Sequence, residues 1–75
     1  MPHISIKCYP KHLSDAQLAR FTEELTALVC RHLSASDGDI SVDYREIPAE
    51  EWKTVYDNDI RPRMNRLLKK PGYSM

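Results

Sequence analysis

Few residues of this 75-residue chain stand where they could do chemistry, and the first of them is Pro2. A proline directly after Met1 is small enough to permit removal of the methionine. The product carries a secondary amine at the chain terminus, a good proton acceptor locked in a ring. An ordinary α-amine titrates at about 7.7–8.0. Desolvation or a neighbouring cation favours its neutral form and lowers that value. Seated in an apolar pocket at the head of a rigid element, such a nitrogen is equipped to act as a general base. While Met1 remains attached, the same nitrogen is an amide and takes up no proton.

Other chemistries find less support. The only glycines, Gly38 and Gly72, make no phosphate-cradling loop. His3, His12 and His32 fall on different elements, so no metal site is expected. Cys8 and Cys30 form a single pair without a second CxxC or clustered histidines, and both fall on apolar faces, where buried reduced thiols are expected. Glu50 and Glu51 read as the solvated first turn of a helix rather than an acid–base pair.

Pro2 needs a scaffold, and the pattern supplies one. Residues 3–9 alternate, with Ile4, Ile6 and Cys8 on one face and His3, Ser5, Lys7 and Tyr9 on the other, which predicts a half-buried strand closed by Pro10. Ser14 and Gln17 form a capping-box pattern ahead of an amphipathic helix. Its apolar side is Leu18, Phe21, Leu25, Leu28, Val29 and His32 or Leu33; Arg20, Glu23, Glu24 and Arg31 lie opposite. Ser34–Gly38 is then a loop in which Gly38 is able to take a positive φ. Residues 39–47 alternate again, predicting a second strand parallel to the first through a right-handed helical crossover. Beyond Pro48, a helical start at residues 48–52 and the spacing of Ile60, Met64, Leu67 and Leu68 predict a second helix, with Pro62 near its start. The pattern leaves open whether residues 49–69 form one kinked helix or a turn followed by a helix. Residues 69–73 read as a tail with a turn.

The fold class is therefore α/β (α+β): a single domain over residues 2–75, built as a β-α-β unit with a second C-terminal helix. A two-stranded sheet is not stable alone, and a chain this short has a marginal core. Pairing about a two-fold axis to give a four-stranded sheet with helices on one face is the expected remedy, which makes the protein a homodimer. Eleven basic residues balance eleven acidic ones, so no nucleic-acid or acidic-membrane partner is expected. There is neither a membrane-spanning run nor the apolar stretch of a signal peptide, and the expected compartment is the cytoplasm.

The run Pro2–Pro10, the segment Leu13–Gln17, the strand Ile40–Ile47 and the ending Lys69-Lys-Pro-Gly-Tyr-Ser-Met75 together resemble the 4-oxalocrotonate tautomerase family. The resemblance covers essentially the whole chain and is strongest to a bacterial subgroup of slightly longer, dimeric, phenylpyruvate-type members. It implies Pro2 as general base, moving a proton between the hydroxyl oxygen and a carbon of an enol, without any cofactor. The family's substrate-gripping arginine on the second strand is replaced here by Ser41, and the loop arginine falls among Lys11, His12 and Leu13, so the implied cation is Lys11. An aromatic residue of the family's site corresponds to Trp52. One cation and one indole imply a small-molecule monocarboxylate enol or keto acid of phenylpyruvate type. The same scaffold and proline are also used in related branches for hydration, dehalogenation or decarboxylation. A non-enzymatic dimeric interaction module with an incidental Met-Pro start is the third reading.

Overall fold

A computed structural model describes residues 1–75. Strand β1 (His3–Cys8) leads through the loop at residues 9–14 into helix α1 (Asp15–Leu33). A single 3-10 turn (Asp37–Asp39) precedes strand β2 (Ser41–Glu46). The second strand is thus shorter than the alternation predicts, because the turn takes up Asp39 and leaves Ile40 as its extended exit.

Helix α1 begins where its cap dictates. Ser14 Oγ accepts from the Gln17 backbone N–H at 3.1 Å, and Gln17 Oε1 accepts from the Ser14 N–H at 2.8 Å, so two otherwise orphaned donors are satisfied reciprocally. Its end corrects an expectation. The left-handed residue is Ser34 (φ 51°, ψ 45°), and no glycine has a positive φ. A left-handed cap must follow the last helical residue directly, and Gly38 lies too far downstream, inside the 3-10 turn.

β1 and β2 pair in parallel, His3 opposite Ser41 through Cys8 opposite Glu46, as the long crossover requires. The Ser41 N–H donates to the Pro2 carbonyl at 3.2 Å and the Ile47 N–H to the Cys8 carbonyl at 2.7 Å. Even-numbered residues of β1 therefore turn their backbone groups toward β2. His3, Ser5 and Lys7 turn theirs to the other side, where the sheet has no further strand.

Phe21 of α1 meets Tyr44 of β2 edge-on at 6.4 Å between ring centroids, so the Ile4–Ile6–Tyr44 face is the one the helix covers. The opposite face is not bare. Ser5 and Lys7 border a cavity whose other wall is the C-terminal helical segment. Helices thus flank both faces, where the sequence pattern predicts one; the Lys7–Asp59 ion pair ties the second segment to that side.

The segment after β2 is one irregular helical run: a 3-10 turn (Ala49–Glu51), α2 (Trp52–Val55), a π-helical turn (Tyr56–Ile60) and a 3-10 stretch (Arg61–Arg66). Pro62 explains the change of pitch. It lacks an N–H and its ring would clash with the carbonyl four residues earlier, so the wide π turn just before it relieves both problems. The run stops at Arg66. Leu67 is extended, and Leu68, expected on the apolar side of the helix, is fully exposed.

Only Val29 and Tyr56, at 6% and 4% exposure, are buried in the protomer. Leu13, Phe21, Leu28 and Leu33, all apolar positions of the helix or its approach, remain exposed. The expected buried thiols are only half-buried, because the protomer has too little core to enclose them.

Candidate active site

Pro2 stands immediately before β1 and is half-buried. Its carbonyl is held by the Ser41 N–H, so the residue is fixed to the sheet although its own nitrogen precedes the first strand residue. Beside it, His3 Nδ1 and Ser41 Oγ lie 2.6 Å apart, a pairing enforced by the parallel register. The N-terminal end of the sheet thus carries a ring nitrogen, an imidazole and a hydroxyl.

The opposite end of β1 carries the aromatic residues. Trp52 meets Tyr9 edge-on at 5.3 Å, and its indole N–H donates to the Tyr73 hydroxyl at 2.9 Å. Tyr73 also leans on Tyr56 at 5.8 Å, and Arg61 lies over the Tyr56 ring at 5.3 Å while donating from Nη2 to the Met75 carbonyl at 2.7 Å. The tail is thereby folded against α2 and the π turn.

Two cavities, each of about 460 Å³, share Lys7 and Trp52. One is lined by Lys7, Cys8, Tyr9, Trp52, Tyr73 and Met75 and is mostly apolar. The other is lined by Ser5, Lys7, Trp52, Val55, Asp59, Ile60 and Arg63. Lys7 Nζ is bonded to Asp59 Oδ2 at 2.5 Å. Asp57 is held below the usual carboxylate value, chiefly by the hydrogen bond from Lys53, with partial burial opposing and Arg61 assisting. Its Oδ1 lies 2.8 Å from Arg61 Nη2 but off hydrogen-bonding geometry, so that contact is an ion pair only.

On the helix-covered face, Cys8 Sγ donates to the Tyr44 hydroxyl at 3.4 Å, and the hydroxyl donates to Glu46 Oε2 at 3.0 Å. The Cys8 hydrogen bond, partial burial and the Glu46 carboxylate all raise the Tyr44 phenol, which stays neutral. Glu46 Oε2 also accepts from the Lys11 backbone N–H at 3.1 Å, which pins the loop after β1, where His12 adopts φ 56°. No three His, Cys, Asp or Glu side chains converge in a metal-binding group.

Of the residues singled out in the sequence, Trp52 lines both cavities, Lys11 sits on the exposed loop with its side chain in neither, and Pro2 lies at the far end of β1. Seven residues of extended chain separate Pro2 from Tyr9, about 23 Å at the usual rise. One protomer does not bring Pro2, Lys11 and Trp52 together. Sequence reasoning also missed Lys7, Arg63 and Tyr73. Lys7 was legible only as a polar strand position, and Tyr73 falls in a tail without periodicity.

Residues 2–58 match the family described as tautomerase enzyme. Over all 75 residues, and over the full length of each relative, the chain is 44% identical to "Tautomerase PptA" of Escherichia coli (strain SMS-3-5 / SECEC), of Shigella sonnei (strain Ss046) and of Escherichia coli O157:H7. Matched by the family model over most of its length and by these relatives over all of it, the chain belongs to the tautomerase family of enzymes and is an isomerase.

Proposed function

We propose that this tautomerase converts the enol form of small 2-hydroxy-enol monocarboxylates, of phenylpyruvate type, to the keto form, with the Pro2 amine as general base once Met1 is removed. The observation that carries the reading is the attachment of Pro2 to β2 through the 3.2 Å bond from Ser41. A base fixed to a sheet holds its lone pair in one direction. The neutral amine takes the enol hydroxyl proton, electron density shifts to form the carbonyl, and the resulting ammonium returns a proton to the neighbouring carbon. Nothing is oxidised or reduced, and no cofactor enters the balance.

The aromatic wall comes from a second copy in this reading. β1 spans His3–Cys8, and its outward edge is unpaired. β2 carries Asp43, Arg45 and Glu46, the charges that discourage pairing at an edge, so β1 is the better candidate. A two-fold axis at Ser5 makes the β1 strands antiparallel through their outward odd-numbered residues, pairs His3 with Lys7 of the second copy and sets Pro2 against the Cys8–Tyr9 end of that copy. Trp52, packed on Tyr9, then walls the cleft, and Lys11, two residues beyond Tyr9, supplies a cation at its rim. The exposed Leu28 and Leu33 are further apolar surface for a homodimer to cover. No helix is long and apolar enough to cross a membrane, and the free thiols Cys8 and Cys30 fit a reducing cytoplasm.

The test is an intact-mass measurement for loss of Met1, followed by an ultraviolet ketonisation assay with phenylpyruvate enol. Processed wild-type protein turns the enol over, and processed Pro2→Ala loses about 10²–10⁴-fold in rate. Full turnover by a preparation that retains Met1 would overturn the base assignment.

A further inference from the structure

The cavity lined by Ser5, Lys7, Trp52, Val55, Asp59, Ile60 and Arg63 combines an indole and two aliphatic side chains with two cations and one carboxylate. Lys7 is committed to Asp59. Arg63 has no ion pair and no side-chain hydrogen bond, and it is the one cation on the cavity wall without an acidic partner. The lining therefore carries a net single positive charge, presented by a planar guanidinium in a cavity that also holds an indole.

We propose that Arg63 is the residue that grips the substrate's carboxylate and so sets the specificity of this tautomerase for acids over neutral enols. The inference rests on the cleft described above, since β1 pairing brings the Lys7–Trp52 end of this cavity up to Pro2 of the second copy. Guanidinium matches a carboxylate with two parallel N–H···O bonds, which a lysine ammonium does not. Lys11, on the loop, is a point charge at the rim; Arg63 is the fork inside. Val55, Ile60 and Trp52 give the organic tail an apolar bed next to that fork. Asp59 disfavours a second carboxylate, so the cavity takes monoacids.

Trp52 is the only tryptophan of the chain, so its fluorescence reports binding here without any turnover. The probes are 3-phenylpropionate and 3-phenylpropanamide, which share a phenyl tail and have no enol. Wild-type full-length protein should bind the acid about 10-fold more tightly than the amide, or better. Arg63→Ala and Arg63→Gln should erase that preference and leave amide binding as it was, and Arg63→Lys should restore part of it. Arg31→Ala, on the exposed end of α1, controls for loss of a positive charge and should keep the preference. An Arg63→Ala protein of native circular dichroism that still prefers the acid overturns the proposal, as does a wild-type protein that does not distinguish the two probes. Pro2→Ala separates this from the base assignment: it should bind both probes normally, and unimpaired turnover by that variant would sink the base while leaving the Arg63 result standing.

Discussion

The indole N–H of Trp52 donates to the hydroxyl of Tyr73, 21 residues further along the chain, at 2.9 Å. This bond joins the wall of both cavities to the C-terminal tail, so the orientation of Trp52 depends on a residue that has no place in either strand or α1. Tyr73 is a positioning residue for the aromatic wall.

Tyr73→Phe keeps the packing against Tyr56 and removes the acceptor. Because the bond is exposed to water, the stability loss should sit at the low end of about 0.5–1.5 kcal/mol. The functional effect should be larger than the structural one: a several-fold rise in KM with kcat less affected, accompanied by a shift of Trp52 emission. Unchanged emission and KM would show that the tail does not orient the indole.

A second prediction concerns the edge of β1. Ser5 turns its N–H away from β2, and proline is tolerated in an edge strand at such a position. Ser5→Pro should therefore keep the intramolecular ladder while blocking strand pairing between copies. Sedimentation should then find a monomer with near-native circular dichroism, and turnover should fall with the loss of the shared cleft. A persisting dimer would place the interface elsewhere.

The Lys53–Asp57–Arg61 cluster makes stability depend on acid. The folded carboxyl of Asp57 lies below its ordinary value of 3.8, so the unfolded chain binds a proton first as pH falls. Its contribution is complete above that ordinary value and disappears as pH drops through the folded one. The urea midpoint of wild type should exceed that of Asp57→Asn at pH 6, with the gap narrowing as pH falls below 3.8 and shrinking with salt, since the pairs are partly exposed. A gap that ignores both pH and salt would remove the ion pairs from the explanation.

Strand, helix, parallel strand and the position of Pro2 were legible in the sequence because each is a local matter. Alternation sets β1, the Ser14–Gln17 box starts α1, and a crossover of that length makes the strands parallel. Where local rules competed, the sequence was silent or misleading. It did not choose between a kinked helix and a turn, because the π turn that accommodates Pro62 is a compromise made by packing. It assigned the left-handed residue to Gly38 on intrinsic freedom, whereas the chain places Ser34 there because the helix ends one residue earlier. The cation at the cavity was legible least of all. Lys11, Lys7 and Arg63 look alike as charges in a sequence; only tertiary structure leaves Lys11 on an open loop, occupies Lys7 with Asp59 and presents Arg63 unpaired on the wall of the cavity that Trp52 also lines.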